Sequence, residues 1–285
     1  MQVDTDTGSV SADGCDLYYE VTGRGVPILL IHPSGATAST WGSAIEGLAR
    51  LGLVIAYDRR GYARSEGELV RSVSRHASDA AAILESLRQA PAVVVGTSSG
   101  AAIAVDLAVR RPDLVRAAIA HEFPWRMNRH LPTASQLAVF AKMGSFVLRG
   151  RQADAAEVLL RAAYTYRDGG SAWDAFPEEW RQAGRENAKA TLRDFVSSIG
   201  NHPSAGDLAT VRVPVVCSHG SRSPDFMVRL MRSLASAIPT ARTEVIEGAA
   251  HAAPFDAATN FVRLIGDTIE EGNRWGAERD EHVRS

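Results

Sequence analysis

The chain has 285 residues, of which 45% are hydrophobic and 22% charged, and its formal net charge is −2. This length suffices for one large domain, or two small ones, with a sizeable buried core. The near-neutral charge, with no run of Lys and Arg, argues against nucleic acid or a membrane surface as a partner.

Cysteine usage and the first residues of the sequence predict the cellular compartment of the protein. Cys15 and Cys217 lie far apart without a C-x-x-C pair, so neither a disulfide framework nor a zinc site is predicted. The first residues lack the basic start and apolar core of a signal peptide, and no apolar run is long enough to cross a bilayer. We therefore expect a cytoplasmic protein; the sequence leaves open whether it forms a homodimer.

The first half of the chain alternates between predicted strands and helices. A hairpin comes first, with strands over 9–12 and 15–21 around an Asp13-Gly14 turn. Continuous apolar runs then predict strands buried on both faces, at 26–31, 53–57, 92–95, 115–120 and, later, 213–217. Helical patterns between them cover 41–51, 73–88 and 101–110. This alternation predicts an α/β fold with a mostly parallel sheet flanked by helices.

The alternation breaks over 128–206, which we interpret as an inserted helical cap. Its aromatic residues either line an apolar pocket above the sheet or form only the core of the cap. They are Phe140, Phe146, Tyr164, Tyr166, Trp173, Phe176, Trp180 and Phe195. As candidate substrate-binding residues we single out Trp173 and Trp180, together with Phe123 and Trp125 just before the cap.

Beyond the cap, a helix is predicted over 225–238, a last strand over 242–246 and a closing helix over 255–270. Residues 1–127 and 207–272 would then form one core. Residues 273–285 mix charges without an apolar stripe and are predicted to form a flexible tail.

Residues 96–100 spell Gly-Thr-Ser-Ser-Gly between an apolar β-branched run and an alanine-rich helical stretch. This pattern is typical of a nucleophile elbow, in which a sharp strand-to-helix turn exposes a serine. The glycines at 96 and 100 avoid collisions across the turn, and Ser98 would hold a strained backbone costing roughly 1–3 kcal/mol. Ser98 is therefore the predicted nucleophile.

A serine nucleophile needs a base, and among eight histidines His251 is best placed. It follows the last predicted strand in a loop of small residues, where the histidine of a Ser-acid-His order belongs. The adjacent His121 and Glu122 lack a second histidine at ligand spacing, so a metal hydrolase is disfavoured.

An acyl-transfer intermediate carries a negative oxygen that requires hydrogen-bond donors. The Ser99 N–H at the start of the helix is one candidate. Pro33 has no N–H, which leaves the Ser34 N–H as the second candidate, in the loop after the first parallel strand. His32 either braces this loop through hydrogen bonds or only packs beneath it.

Two acids could orient His251. Asp225 follows Pro224 and would suit the first turn of a helix for the helix dipole alone. Glu122 sits at the end of an apolar strand, where it would be costly to bury without a partner. We favour Glu122 and keep Asp225 as the alternative.

These motifs together resemble the α/β-hydrolase superfamily. The resemblance rests on His32-Pro33-Ser34-Gly35, on Asp58-Arg59-Arg60-Gly61-Tyr62-Ala63-Arg64-Ser65, on the Ser98 elbow and on His251. It implies an eight-stranded, mostly parallel sheet and a hydrolase without a cofactor. Ala63 departs from the usual glycine of the second motif, and Ser223 stands where many members carry the acid.

A narrower likeness is to zearalenone lactonase-type hydrolases. It is carried by Leu17-Tyr18-Tyr19-Glu20, by Ser98-Ser99-Gly100-Ala101, by His121-Glu122-Phe123-Pro124 and by Gly220-Ser221-Arg222-Ser223-Pro224. In that group the glutamate of the H-E-x-P segment completes the triad, which implies the same role for Glu122. The cap matches poorly, and cap residues shape the substrate pocket.

The sequence thus predicts a serine hydrolase that cleaves an apolar ester or lactone through an acyl-enzyme on Ser98. Alternative functions that the same fold could carry are those of a C–C bond hydrolase, a cofactor-free lyase or oxygenase, and a non-catalytic receptor for small ligands. Epoxide hydrolases and haloalkane dehalogenases are disfavoured, because a resemblance to either group would require an aspartate at position 98, where this chain has serine.

Overall fold

One eight-stranded sheet organises the chain in the computed structural model, which describes residues 4–125, 133–200 and 202–284. The strands are β1 (Thr5–Ser11), β2 (Asp16–Gly23), β3 (Pro27–Ile31), β4 (Leu53–Tyr57), β5 (Ala92–Thr97), β6 (Val115–His121), β7 (Val215–Gly220) and β8 (Ala241–Ile246). Their spatial order is β1-β2-β4-β3-β5-β6-β7-β8. Pairs involving β2 are antiparallel and all others parallel, which confirms the predicted fold class.

Eleven α-helices surround this sheet in the described residues. They are α1 (Gly42–Ala49), α2 (Val73–Ser86), α3 (Ser99–Arg110), α4 (Ala134–Leu148), α5 (Gln152–Ala163), α6 (Glu178–Glu186), α7 (Ala188–Gly200), α8 (Ala205–Leu208), α9 (Asp225–Ala237), α10 (Ala253–Asp256) and α11 (Ala258–Arg284). Short 3-10 helices occupy Ala38–Trp41 and Ala172–Ala175. In the part of the chain that is described, no helix combines the length and apolar character that crossing a membrane requires.

The central strands are apolar throughout because both faces of the sheet are covered. In β3, Leu29 and Ile31 join one buried cluster, while Ile28 and Leu30 join another on the opposite face. The first cluster includes residues of α2, α3 and α9, and the second includes residues of α1 and α11. Alternate side chains of a strand point to opposite faces, so helices on both sides explain the continuous apolar runs.

The predicted hairpin and its turn are present between β1 and β2. Asp13 and Gly14 have φ values of 43° and 77°, which is the left-handed region that a two-residue turn of this kind requires. Backbone hydrogen bonds between Ala12 and Cys15 close the turn in both directions. The Asp-Gly pair was therefore a reliable signal for this connection.

Between β6 and β7 the described residues form five helices, α4 to α8, which we call the helical insertion. Residue 128, where the cap was predicted to begin, lies outside the described residues. A separate aromatic cluster, centred on Tyr164, Trp173 and Phe176, packs this insertion against Ala252 of the β8–α10 loop. The insertion is thus anchored over the carboxyl edge of the parallel strands.

The chain end differs from the predicted flexible tail. Helix α11 continues through the predicted boundary at residue 273 as far as Arg284. Trp275 packs against the first buried cluster, and Arg116 Nη1 donates to Asn273 Oδ1 at 3.0 Å. One well-placed aromatic residue and a polar contact therefore anchor a stretch that has no apolar stripe of its own.

Candidate active site

Ser98 occupies the sharp turn between β5 and α3. Its backbone has φ 53° and ψ −120°, a conformation that strains any residue with a side chain. A Cβ at Gly96 would collide with the carbonyl of Gly100, and a Cβ at Gly100 would collide with the carbonyl of Ile31. The Ser98 N–H donates to the His121 carbonyl at 2.8 Å, which ties the turn to β6. The sequence G-T-S-S-G therefore permits a turn that a bulkier sequence could not make.

Glu122 and His251 form a buried pair at the same edge of the sheet. Glu122 follows the last residue of β6, and its Oε2 lies 2.8 Å from His251 Nδ1. Glu122 is 1% exposed and His251 8% exposed. A carboxylate accepts hydrogen bonds, so Nδ1 carries the hydrogen and Nε2 has a free lone pair when the ring is neutral.

The second oxygen of Glu122 is held by β7 and the turn after it. Oε1 accepts hydrogen bonds from the Ser223 hydroxyl and, at 3.3 Å, from the Gly220 N–H. Burial alone would raise the pKa of Glu122, but the hydrogen bond to His251 and the other nearby donors lower it to about 2. Glu122 is therefore a carboxylate at any ordinary pH.

A second histidine braces the loop that carries His251. His121 Nε2 lies 3.0 Å from the Ala250 carbonyl, and its Nδ1 lies 3.1 Å from the Ser218 hydroxyl. Because a carbonyl only accepts, Nε2 donates and Nδ1 accepts from the serine. Burial lowers the pKa of His121, which keeps this ring neutral. His121 thus supports the loop that carries His251.

The loop after β3 is fixed by His32. His32 Nδ1 lies 2.8 Å from the Pro33 carbonyl, and its Nε2 accepts the Arg59 N–H at 3.0 Å. Burial lowers the pKa of His32 to about 3, so the ring is neutral. Of the two interpretations made from the sequence, bracing by hydrogen bonds is the observed one. The hydroxyls of Ser34 in this loop and Ser99 at the start of α3 lie 2.9 Å apart.

Ser98, Glu122 and His251 open onto one cavity of about 520 Å³ beneath the helical insertion. This volume lies in the range of about 300–1,000 Å³ that is typical of small-molecule sites. Its apolar walls include Val139, Phe140, Leu159, Leu160, Tyr164, Phe195, Phe226 and Met227. Polar side chains, among them Gln136, Arg167 and Asp225, also line it.

A second, smaller cavity of about 40 Å³ shares Pro33, Leu160, Tyr164 and His251 with the first. Trp173 and Trp180 line it, beside Phe176 and Phe255. The Tyr164 ring meets the His251 imidazole edge to face, with centroids 5.4 Å apart. Space of this size holds a group of a few heavy atoms.

Three residues do not take the roles considered for them from the sequence. The Asp225 side chain is 73% exposed in the first turn of α9, 3.7 Å from Arg167, and Glu122 holds the place beside His251. Phe123 and Trp125 are 0% and 1% exposed and belong to the first buried cluster rather than to the described walls of the two cavities. The positive φ of Glu122, 49°, turns the chain at the end of β6, and these two aromatic side chains then pack into the core.

Several residues at or near the site were not singled out from the sequence as functional. Leu160 and Met227 line the main cavity, but they are ordinary apolar residues of amphipathic helices, and nothing in their spacing marks a cavity wall. Asp194 on α7 of the insertion contacts Ser34 in the loop after β3. Within the described ranges, no cluster of three or more His, Cys, Asp or Glu side chains is arranged to hold a metal ion.

Comparison with curated proteins identifies several relatives. The chain is 38% identical over 121 residues to the uncharacterized hydrolase YraK of Bacillus subtilis (strain 168), covering 40% of this chain and 44% of that protein. It is 26% identical over 220 residues to the zearalenone hydrolase of Bionectria ochroleuca, covering 74% and 78% of the two chains. The match to YraK thus spans less than half of that relative's length.

Among solved structures, the enol-lactonase from Burkholderia xenovorans LB400 superposes with a TM-score of 0.75 at 19% identity. The superposition covers 92% of this chain and 100% of the other, which shows a shared fold. Residues 28–264 match the Alpha/beta hydrolase family, a span that contains the Ser98 elbow, Glu122 and His251. The chain therefore belongs to the alpha/beta hydrolase family, as its motifs predicted.

Proposed function

We propose that this protein is a serine hydrolase that cleaves an apolar ester or lactone without a cofactor. One observation carries the proposal: a buried Glu122–His251 pair, 2.8 Å apart, opens onto the same apolar cavity as a serine in a strained strand-to-helix turn. A strained backbone persists only where the surrounding structure enforces it, and such residues concentrate at functional sites.

Acylation would begin with attack by Ser98 Oγ on the substrate carbonyl carbon. His251 Nε2 takes the serine proton, and Glu122 stabilises the resulting imidazolium through its Nδ1–H. The carbonyl oxygen becomes an oxyanion, for which the N–H groups of Ser99 and Ser34 are the proposed donors. Collapse of this intermediate breaks the bond to the leaving oxygen, which receives the proton from His251.

Deacylation would repeat these steps with water as the nucleophile. His251 removes a proton from water, the hydroxide adds to the acyl carbon, and collapse returns the proton to Ser98. An ester yields an acid and an alcohol, whereas a lactone yields a single hydroxy acid. The helical insertion would act as the cap that encloses the substrate.

Cavity dimensions support a substrate with unequal ends. The cavity of about 520 Å³ and the one of about 40 Å³ meet at His251, so a bulky apolar group and a compact group would lie on opposite sides of the reacting carbonyl. The apolar walls favour an apolar substrate, because transfer of apolar surface from water into an apolar cavity is favourable. A panel of lactones that includes zearalenone, together with esters of increasing acyl length, would define this class.

The proposal is tested by turnover and covalent labelling of the purified protein. We expect hydrolysis of chromogenic p-nitrophenyl esters. We also expect a fluorophosphonate to phosphonylate Ser98 with loss of fluoride, so that the peptide containing Ser98 gains the mass of the phosphonyl group. Turnover of a substrate without labelling of Ser98 would favour a lyase or oxygenase. Binding of apolar ligands without turnover of any ester or lactone would favour a receptor.

Removing the hydroxyl of Ser223 is expected to lower kcat by about tenfold, since a lost hydrogen bond to a charged group costs about 1.5–3 kcal/mol. In Ser223→Ala, Glu122 keeps its contact with His251 but loses one of the two donors to Oε1 and keeps the Gly220 N–H. Measurement of kcat on the best ester checks this. Thr268→Val is the matched control, because it removes a buried hydroxyl in α11 that donates to the Leu264 carbonyl within the same helix. Equal losses in both variants would contradict a role for Ser223.

A further inference from the structure

Asp194 belongs to the helical insertion, yet its carboxylate reaches the loop that carries Ser34. It lies on α7 with its side chain 7% exposed, and it accepts hydrogen bonds from the Tyr62 hydroxyl at 2.7 Å and the Ser34 hydroxyl at 3.1 Å. It also forms an ion pair with Arg59. A buried charge from the insertion therefore contacts a residue of the proposed oxyanion hole.

The hydroxyls of Ser34 and Ser99 extend this contact to the residue beside the nucleophile. Ser34 Oγ lies 3.1 Å from Asp194 Oδ2 and 2.9 Å from Ser99 Oγ. Ser34 is the donor in both contacts, and because a carboxylate is the stronger acceptor, its single hydroxyl hydrogen is shared between Asp194 and, more weakly, Ser99. The Ser34 hydroxyl thereby connects Ser99 with Asp194.

The same loop is held from the core side by groups that also contact Asp194. The Arg59 N–H donates to His32 Nε2 at 3.0 Å, while the Arg59 side chain pairs with Asp194. The Tyr62 ring packs edge to face on His32, with centroids 5.0 Å apart, and its hydroxyl donates to Asp194. The loop is thus fixed on one side by the core and on the other by the insertion.

The neighbouring ion pair between Asp79 and Arg60 is a useful comparison for the pair between Asp194 and Arg59. Asp79 on α2 binds Arg60 Nε at 2.9 Å and Arg60 Nη2 at 2.6 Å, and it is 2% exposed. Both pairs join a buried aspartate to an arginine of the segment after β4. Only Asp194, among the described contacts of these two carboxylates, also binds a residue of the proposed oxyanion hole.

We propose that Asp194 is a positioning residue that fixes the Ser34 backbone N–H for oxyanion binding and makes docking of the helical insertion a condition for full activity. This inference rests on the proposed function, in which the N–H groups of Ser34 and Ser99 stabilise the oxyanion. Donors act in the transition state only when they are preorganised, so a support that orients a donor affects kcat more than KM.

Three single variants and one double variant test the proposal on p-nitrophenyl esters. Asp194→Asn removes the charge, Ser34→Ala removes the hydroxyl but keeps the backbone N–H, and Asp79→Asn is the matched control. We expect Asp194→Asn and Ser34→Ala to lower kcat by about 10- to 100-fold, less than the roughly 10²–10³-fold loss when a donor is removed outright. The double variant, Asp194→Asn with Ser34→Ala, is expected to have the same kcat as the less active of the two single variants, because both changes break the same hydrogen-bonded connection.

A second readout distinguishes a misplaced donor from general destabilisation. Each variant is also assayed on the matching thionoester, whose sulfur accepts hydrogen bonds more weakly than a carbonyl oxygen. We expect the ratio of ester to thionoester turnover to fall in Asp194→Asn and Ser34→Ala. Asp79→Asn is expected to lower the melting temperature while keeping the wild-type ratio and kcat.

The outcomes separate this inference from the proposed function. If wild type cleaves esters through Ser98 but Ser34→Ala keeps the wild-type kcat and the wild-type ratio of ester to thionoester turnover, the positioning role of Asp194 is overturned while the proposed function stands. An equal loss of kcat and ratio in Asp79→Asn would also overturn it. If Asp194→Asn does not fold, Ser34→Ala decides. If wild type neither cleaves esters nor is labelled at Ser98, the proposed function itself is overturned, and the positioning role of Asp194 with it.

Discussion

Replacement of Ser98 by alanine is expected to lower kcat on the best ester by about 10⁶-fold, the loss seen when a triad nucleophile is removed. The remaining protein still has Glu122, His251 and the N–H groups of Ser34 and Ser99, but it cannot form an acyl-enzyme. Active-site labelling by a fluorophosphonate should disappear in parallel. The measurement is kcat from initial rates, with the enzyme concentration verified by absorbance.

Ser98→Gly is the matched variant, since it removes the same hydroxyl and also relieves the backbone. At φ 53° and ψ −120°, glycine avoids a strain that alanine retains, and such strain costs about 1–3 kcal/mol. Both variants are expected to be inactive, with Ser98→Gly more stable to chemical denaturation than Ser98→Ala. If either variant kept the wild-type kcat, Ser98 could not be the nucleophile.

The Ser98 turn could be predicted from sequence because its determinants are local. Two glycines, a preceding β-branched run and a following helix pattern lie within a few residues, and each acts on the backbone of its neighbours. The Asp13-Gly14 turn was predictable for the same reason. The central strands were recognisable from their continuous apolar runs, since helices on both faces leave no polar side.

Contacts between distant segments could be predicted only in part. The sequence narrowed the acid to Glu122 and Asp225, because both follow strand ends, but the distance to His251 depends on how the strand ends and the β8–α10 loop are arranged in space. Asp194 and Ser34 are 160 positions apart, and their contact depends on how the insertion docks. Phe123 and Trp125 were predicted to bind substrate from their position just before the cap, but the chain turns at Glu122, whose φ is positive, and both side chains pack into the core.

Replacement of Glu122 by glutamine is expected to lower kcat by about 10⁴-fold, as when the carboxylate of a comparable triad becomes an amide. The surroundings of Glu122 explain why. Oε1 accepts from the Ser223 hydroxyl and the Gly220 N–H, so the amide oxygen of glutamine would occupy that position. The amide N–H₂ would then face His251 Nδ1, which must accept. His251 would carry its hydrogen on Nε2 and could not take the proton of Ser98.

Asp225→Asn is the control for this experiment. The Asp225 side chain is 73% exposed and lies 3.7 Å from the Arg167 guanidinium, a distance at which a surface pair contributes little. We therefore expect the kcat of Asp225→Asn to equal that of wild type, while circular dichroism shows both variants folded. The comparison is decisive because both acids line the same cavity and only Glu122 touches the imidazole. Similar losses at the two positions, or a loss at Asp225 alone, would overturn the assignment of Glu122 as the acid that orients His251.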